Sequence, residues 1–244
     1  MKLNSRNYPI DLNADLGEGG QHDEALLQLI TSANIACGGH TGDKQTMEKT
    51  VKLAHHHIVN IGAHPSFPDR EHFGRKVMTI TDTALTDSLY QQISSLKAVC
   101  DAVGAKLFHV KPHGALYNQA AYSERLGHVL INVIKKIDPN LSLMVLASSP
   151  LVGLAKHHGL TVIEEAFADR AYLTDGSLAS RGQAGAVIED AEQVLKQVEK
   201  LIKQQAITTL DGNDIVISAN SICLHGDNEH ALNYAKLISD KLAI

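Results

Sequence analysis

At 244 residues the chain is long enough for one large α/β barrel or two ordinary domains, and either can bury a full core. Hydrophobic residues at 44%, charged residues at 20% and the lack of any run of 18 apolar residues exclude a membrane span and describe a soluble globular chain. Lys and Arg total 22 against 27 for Asp and Glu. The formal charge of −5 leaves no electrostatic reason to expect nucleic acid or an anionic membrane, so a small molecule is the expected partner.

The first residues, Met1 to Arg6, lack the apolar core of a signal peptide. Cys37, Cys100 and Cys223 are odd in number, widely spaced and set in apolar sequence, as expected for reduced thiols of a cytoplasmic protein.

The first predicted element is a strand from Asp11. Asp11, Asn13 and Asp15 share one face and Leu12, Ala14 and Leu16 the other, which suits a strand aiming carboxylates into a polar cavity; a solvated edge strand is the alternative. A short helix over residues 23–30 and a strand over 32–37 follow, ending in Gly38-Gly39-His40-Thr41-Gly42-Asp43. Asp43 can cap a helix carrying Met47, Val51 and Ala54, so His55, His56 and His57 fall in its last turn and complement the helix dipole rather than bind metal. A third strand over 58–63 runs into a long loop, 64–75, too rich in His, Pro, Arg and Gly to be a plain connector.

A helix from about Thr81 carries Leu85, Leu89, Ile93, Leu96 and Cys100 and stops at Gly104. Next come a strand over 106–111, a helix with Leu126, Leu130, Val133 and Ile137, a strand over 141–147, a short helix through Leu151 and Leu154, and a strand over 160–165. A second polar loop, 168–185, carries Asp169, Arg170, Asp175 and Arg181. The pattern then predicts a helix from Ala186 with Val187, Ala191, Val194 and Val198 on one face, a hairpin turning at Asp211-Gly212-Asn213, and a last strand over 221–224. It ends in His225-Gly226-Asp227, with Asp227 placed to cap the closing helix.

About seven strands, each followed by a helix, imply parallel strands joined by right-handed crossovers. Asp15, His40, His64, Lys111 with His113, Asp169 with Arg170, and His225 with Asp227 all follow strand ends. In a closed barrel those ends share one mouth, whereas an open sheet would string them along an edge. A single seven-stranded (β/α) barrel over 1–244 is therefore expected.

Within that mouth, Asp15, His40 and His64 can form a two-histidine, one-carboxylate set for a divalent metal, or the histidines can simply bond loop carbonyls. Lys111, between Val110 and Pro112, is expected to point inward, with a pKa lowered by desolvation and its ammonium aimed at an anion. Arg75, Arg170 and Arg181 can clamp a carboxylate or phosphate, or pair with Asp69, Asp169 and Asp175; Arg170 is the one most expected to face the pocket. Cys37 is expected to be a core residue. No Gly-x-x-x-x-Gly-Lys-Ser/Thr loop occurs, so use of ATP would need another polypeptide or an unrecognised site.

Several long segments carry a family resemblance: Asp11-Leu12-Asn13-Ala14-Asp15-Leu16-Gly17-Glu18, Asn34-Ile35-Ala36-Cys37-Gly38-Gly39-His40, Gly62-Ala63-His64-Pro65-Ser66, Phe73-Gly74-Arg75, His109-Val110-Lys111-Pro112-His113-Gly114-Ala115-Leu116-Tyr117, Glu165-Ala166-Phe167-Ala168-Asp169-Arg170 and Cys223-Leu224-His225-Gly226-Asp227. They resemble the LamB/YcsF family over nearly the whole chain. The resemblance implies a TIM-like barrel related to the glycoside hydrolase and deacetylase fold. For activity it implies ATP-dependent opening of 5-oxoproline to L-glutamate, together with 5-oxoprolinase subunits B and C.

On that footing Asp15 or His113 is expected as general base, with Asn13 orienting Asp15 and Asp11 a paired carboxylate beneath it. Lys111 is expected to stabilise an oxyanion, Arg75 or Arg170 to hold the substrate carboxylate, and His40, His64, Asp169, His225 and Asp227 to line the site. ATP, on this chain or shared with its partners, and a divalent metal are the candidate cofactors. The alternatives are a metal-dependent deacetylase-like hydrolase and a non-catalytic lactam-binding subunit.

Overall fold

Residue alternation places β1 (Asp11–Leu16) in the wall of a barrel, with Leu12, Ala14 and Leu16 packed outward and Asp11, Asn13 and Asp15 turned to the lumen. The structure, a computed structural model, describes residues 8–224 and 231–242. The elements that follow are α1 (Asp23–Leu27), β2 (Ser32–Ala36), α2 (Lys44–His56), β3 (Asn60–His64), α3 (Asp82–Ala102), β4 (Leu107–Val110), α4 (Gly114–Ala120), α5 (Glu124–Ile137), β5 (Ser142–Leu146), α6 (Pro150–His157), β6 (Val162–Phe167) and α7 (Ala191–Ile202). The hairpin β7 (Ile207–Thr208) and β8 (Asp214–Ile215), then β9 (Ser221–Leu224) and α8 (Ala231–Leu242), complete the series.

Seven parallel strands close in the order β1-β2-β3-β4-β5-β6-β9, which is the expected barrel and neither an open sheet nor a strand left at an edge. Ser221 seals the ring, pairing with Asp11 on one side and Glu165 on the other. The apolar stripes of the helices cover the outer wall: Val51 of α2, Leu89 and Ile93 of α3, Leu130 and Ile134 of α5 and Ile238 of α8 are all fully buried. Side-chain caps fix where helices begin: Asp43 and Thr46 form a capping box on α2, Thr81 caps α3 and Ser123 caps α5. His55 and His56 occupy the last turn of α2 and His57 its C-cap, as the dipole argument requires.

The lumen is tight enough to dictate a residue on β3. A Cβ added to Gly62 would stand 2.1 Å from His109 Nε2, so only glycine lets the β4 histidine lie across the barrel.

Several elements differ from expectation: β6 lies two residues later than placed, at Val162–Phe167 instead of 160–165, and α1 ends at Leu27 instead of residue 30. The helix placed from Ala186 begins at Ala191, because the Asp190 carboxylate accepts from the Glu192 and Gln193 N–H groups and starts the helix there. Val187 instead pairs with Arg170, tying the loop's end back to its start. The third strand begins at Asn60, since Ile58 has φ 57° and is exposed as it ends the α2 turn. Finally, α4 inserts directly after His113, where no amphipathic stripe announced a helix.

Candidate active site

Lumen-facing polar residues stack in layers toward the C-terminal mouth. At the bottom, Asp11 accepts from the Thr31 hydroxyl at 2.6 Å and the Ser32 hydroxyl at 2.7 Å. Burial nevertheless pushes its carboxyl up, against the lowering effect of the Ser221, Thr31 and Ser32 hydroxyls. The partners of this carboxylate, expected to be paired beneath Asp15, are the Thr31, Ser32 and Ser221 hydroxyls. One layer up, Asn34 Nδ2 donates to Asn13 Oδ1 and Asp15 Oδ1, both at 2.8 Å, so Asn13 and Asp15 are held by one amide. His109 Nε2 donates to Asn34 Oδ1 at 2.6 Å. Burial, with Lys111 and His64 nearby, lowers the His109 pKa to about 3, and the ring is neutral.

Lys111 forms the next layer at the end of β4. Its ammonium lies 2.9 Å from Asp15 Oδ1 and 2.8 Å from Glu165 Oε1, and donates to Cys223 Sγ at 3.2 Å and Asn13 Oδ1 at 3.3 Å. The other Glu165 oxygen accepts from the Tyr117 hydroxyl at 2.6 Å. Lys111 does point inward, but its pKa moves opposite to the expectation. Burial alone would lower it, yet Asp15, Cys223 and Glu165 outweigh burial and raise it well above the usual lysine value. The group is a fixed cation and not a proton acceptor. Burial likewise raises the Cys223 thiol far out of the nucleophilic range despite Lys111 beside it.

Beside this layer the histidines converge. His40 Nε2 lies 2.7 Å from Glu18 Oε1, and His113 Nδ1 lies 2.9 Å from His64 Nε2. The opposite ring nitrogens of the pair face main-chain carbonyls, His64 Nδ1 at 2.7 Å from Lys111 O and His113 Nε2 at 3.0 Å from Phe73 O. Asp15 Oδ2 is 3.5 Å from His64 Nε2. Burial opposes charge on His64, but Asp15 and Glu18 raise its pKa; burial and the neighbouring His64 and His40 drive His113 strongly down. Glu18, His40, His64 and His113 could hold a metal ion through ligand atoms within 4.8 Å of one another. That set differs from the expected Asp15, His40 and His64, because Gly17, at φ 74°, turns the chain after β1 and brings Glu18 back over the mouth.

These groups open onto a cavity of about 610 Å³ whose wall includes Asp15, Glu18, His64, Lys111, His113 and Tyr117. Arg75 and Arg181 are exposed on its rim. Arg170 borders it too, but its guanidinium is taken up inside its own loop, with Nε donating to Ala186 O at 3.3 Å and Nη2 to Ala179 O at 2.5 Å. It shapes the loop rather than offering a ligand clamp. Asp169 is buried beneath, its carbonyl accepting from Ile188 N–H, and is not in the described cavity wall. His225 and Asp227 lie outside the described residues. Cys37 is a buried core residue whose thiol burial raises to about 12.

Sequence reasoning did not single out Glu18, Glu165, Tyr117 or Cys223 for the site. Glu165 stood at the end of a predicted strand, in the position that marked Asp15 and Lys111, and that was its signal. Glu18 had only its nearness to the end of β1.

Fold and pocket together define a TIM-like (β/α) barrel protein with its ionisable groups gathered at the C-terminal mouth. A GH18 chitinase from Pseudoalteromonas aurantia, 12% identical with a TM-score of 0.53, covering 95% of this chain and 100% of its own, shares that fold alone. The chain belongs to the LamB/YcsF family, whose model matches residues 10–243. It is similar to the A subunit of 5-oxoprolinase from Haemophilus influenzae (strain PittEE), 48% identical over 233 residues, which span 96% of this chain and 95% of the relative. It is also similar to the lactam utilization protein of Thermus thermophilus, with a TM-score of 0.89 and 36% identity over 96% of this chain and 95% of the other. Among the described residues no helix is long and apolar enough to cross a membrane.

Proposed function

We propose that this chain is the hydrolytic component of an ATP-dependent 5-oxoprolinase, a cytoplasmic enzyme that opens 5-oxoproline to L-glutamate with subunits B and C. The names of its relatives support the substrate. The observation that carries the chemistry is the Lys111 ammonium, fixed on the cavity floor between Asp15 and Glu165.

A γ-lactam is an unactivated amide, and phosphorylation of its oxygen makes the ring carbon electrophilic. The helix that opens onto the cavity, α4, has its His113 and Ala115 N–H groups bonded to Pro65 O and Gly74 O, which leaves no backbone nest there for phosphates. In this reading phosphorylation is assigned to the partner subunits, and this chain receives the activated lactam. Water adds to the ring carbon while its proton passes to Asp15, which Asn34 and Lys111 hold in place. The ring nitrogen then takes that proton, the hydroxyl left by the water gives its own proton to the Asp15 carboxylate as it becomes the carbonyl of an acyl phosphate, the C–N bond breaks to release the amine, and a second water converts the acyl phosphate to the γ-carboxylate and phosphate. Lys111 offsets negative charge developing on oxygen, and Arg75 at the rim holds the substrate carboxylate. His113, driven far down in pKa, is the poorer base of the two expected candidates.

The test mixes the chain with its partner subunits and follows glutamate release from 5-oxoproline with and without ATP. ATP-dependent release that falls by about 10²-fold or more in folded Lys111→Met is expected. Undiminished turnover in that variant would remove Lys111 from the mechanism.

A further inference from the structure

Two of the histidines at the mouth pose a proton-accounting problem. His64 Nδ1 and His113 Nε2 each face a main-chain carbonyl, which can only accept, so each of those nitrogens carries the ring proton. In neutral rings the remaining nitrogens, His64 Nε2 and His113 Nδ1, are then both lone pairs, and they point at each other across 2.9 Å. Glu18 Oε1 completes a triangle with them, 3.8 Å from the first and 3.4 Å from the second. Three electron-rich atoms turned toward one gap repel unless something positive lies between them.

We infer that Glu18, His64 and His113 form a binding site for one divalent transition-metal ion at the cavity floor. The circle through the three atoms has a radius of about 2.0 Å, which is the bond length of a zinc-type ion to imidazole nitrogen and carboxylate oxygen. The two backbone carbonyls are the outer partners that ligating histidines require to fix their tautomers. Imidazole and carboxylate donors together suit zinc, cobalt or manganese rather than calcium or magnesium. His40 is a positioning residue and not a ligand. Its ring is stacked on His113, with centroids 3.7 Å apart and planes 4° from parallel, so one ion cannot lie in both ring planes. Its Nε2–H donates to Glu18 Oε1 at 2.7 Å and aims the carboxylate. All three ligands border the cavity, so the ion keeps open positions next to Asp15, where it would supply Lewis-acid activation of water or a substrate oxygen. The inference does not depend on the identity of the substrate.

To test it, the full chain is stripped with chelator, dialysed separately against Zn²⁺, Co²⁺ and Mn²⁺, and assayed for metal per chain by mass spectrometry. One saturable ion per chain is expected with at least one of the three. Glu18→Gln and His113→Ala should lose it while keeping the wild-type circular dichroism, and His40→Ala should weaken it by about 10–100-fold. His56→Ala, at the exposed end of α2, should leave it unchanged. Failure of the folded wild type to retain any of the three ions would overturn the inference, as would unchanged binding in both ligand variants. So would nitrogen NMR showing a proton shared between the two ring nitrogens that added metal does not displace. Glutamate release with the partner subunits is measured separately: metal binding without release would sink the lactam reading alone, and release without metal binding would sink only the metal site.

Discussion

Lys111→Met keeps most of the side-chain volume and removes one charge from the centre of the molecule. Lys111 is 2% exposed, and its two counter-ions, Asp15 and Glu165, are 9% and 0% exposed. Deleting one partner of a buried ion pair leaves an uncompensated charge in a poorly polarisable environment and typically costs about 3–5 kcal/mol. At pH 8 the variant should be destabilised by about that amount in urea unfolding followed by circular dichroism. The deficit should depend on pH with a definite sign. Without the ammonium two buried carboxylates share the site with no cation between them, an arrangement that taking up one proton relieves. A carboxyl whose pKa is raised in this way contributes stability below the unfolded pKa of about 4.3 and loses it as pH climbs through the folded value. The wild type has no such slope from Lys111, whose raised pKa keeps it charged until well into the alkaline range. The gap between variant and wild type should therefore narrow at pH 5. Equal stability at pH 8, or a deficit of the same size at pH 5 and pH 8, would refute the view that this lysine is a buried counter-charge.

Three further outcomes follow from single contacts. Gly62→Ala should lower the melting temperature by an amount corresponding to at least about 1–3 kcal/mol, because its methyl would meet the His109 ring, and His109→Ala in the same chain should recover part of the loss. Asp190→Ala removes the acceptor for two N–H groups at the start of α7 and should cost about 1 kcal/mol in chemical denaturation, with glutamate release unaffected. His109, held neutral with a folded pKa of about 3 against an unfolded value near 6.5, contributes stability above pH 6.5 that is lost as pH falls toward 3. Its ring resonances should show no titration between pH 5 and pH 8 by NMR, and a midpoint near 6.5 would contradict the buried placement.

The sequence by itself determined the barrel strands and most of the helices, α4 excepted, because period-2 and period-3.6 patterns are local properties of the chain. Asp11-Leu12-Asn13-Ala14-Asp15-Leu16 declared a lumen face and a helix-packing face, and the structure keeps both. Placing Asp15, His40, His64, Lys111 and His113 at strand ends was enough to choose a barrel over an open sheet. What periodicity does not carry is the identity of the residue across the lumen. Lys111 looked like a lysine whose pKa burial would lower, and only the closed ring brings Asp15 and Cys223, separated from it by 96 and 112 positions, to its ammonium. Arg170 looked like a clamp until its donors were found on Ala179 and Ala186 carbonyls. Glu18 acquired its place from one left-handed glycine, Gly17, which swings it over His40, His64 and His113. Charge state and ligation depend on distances of a few ångströms between residues far apart in the chain, and those distances exist only once the barrel has closed.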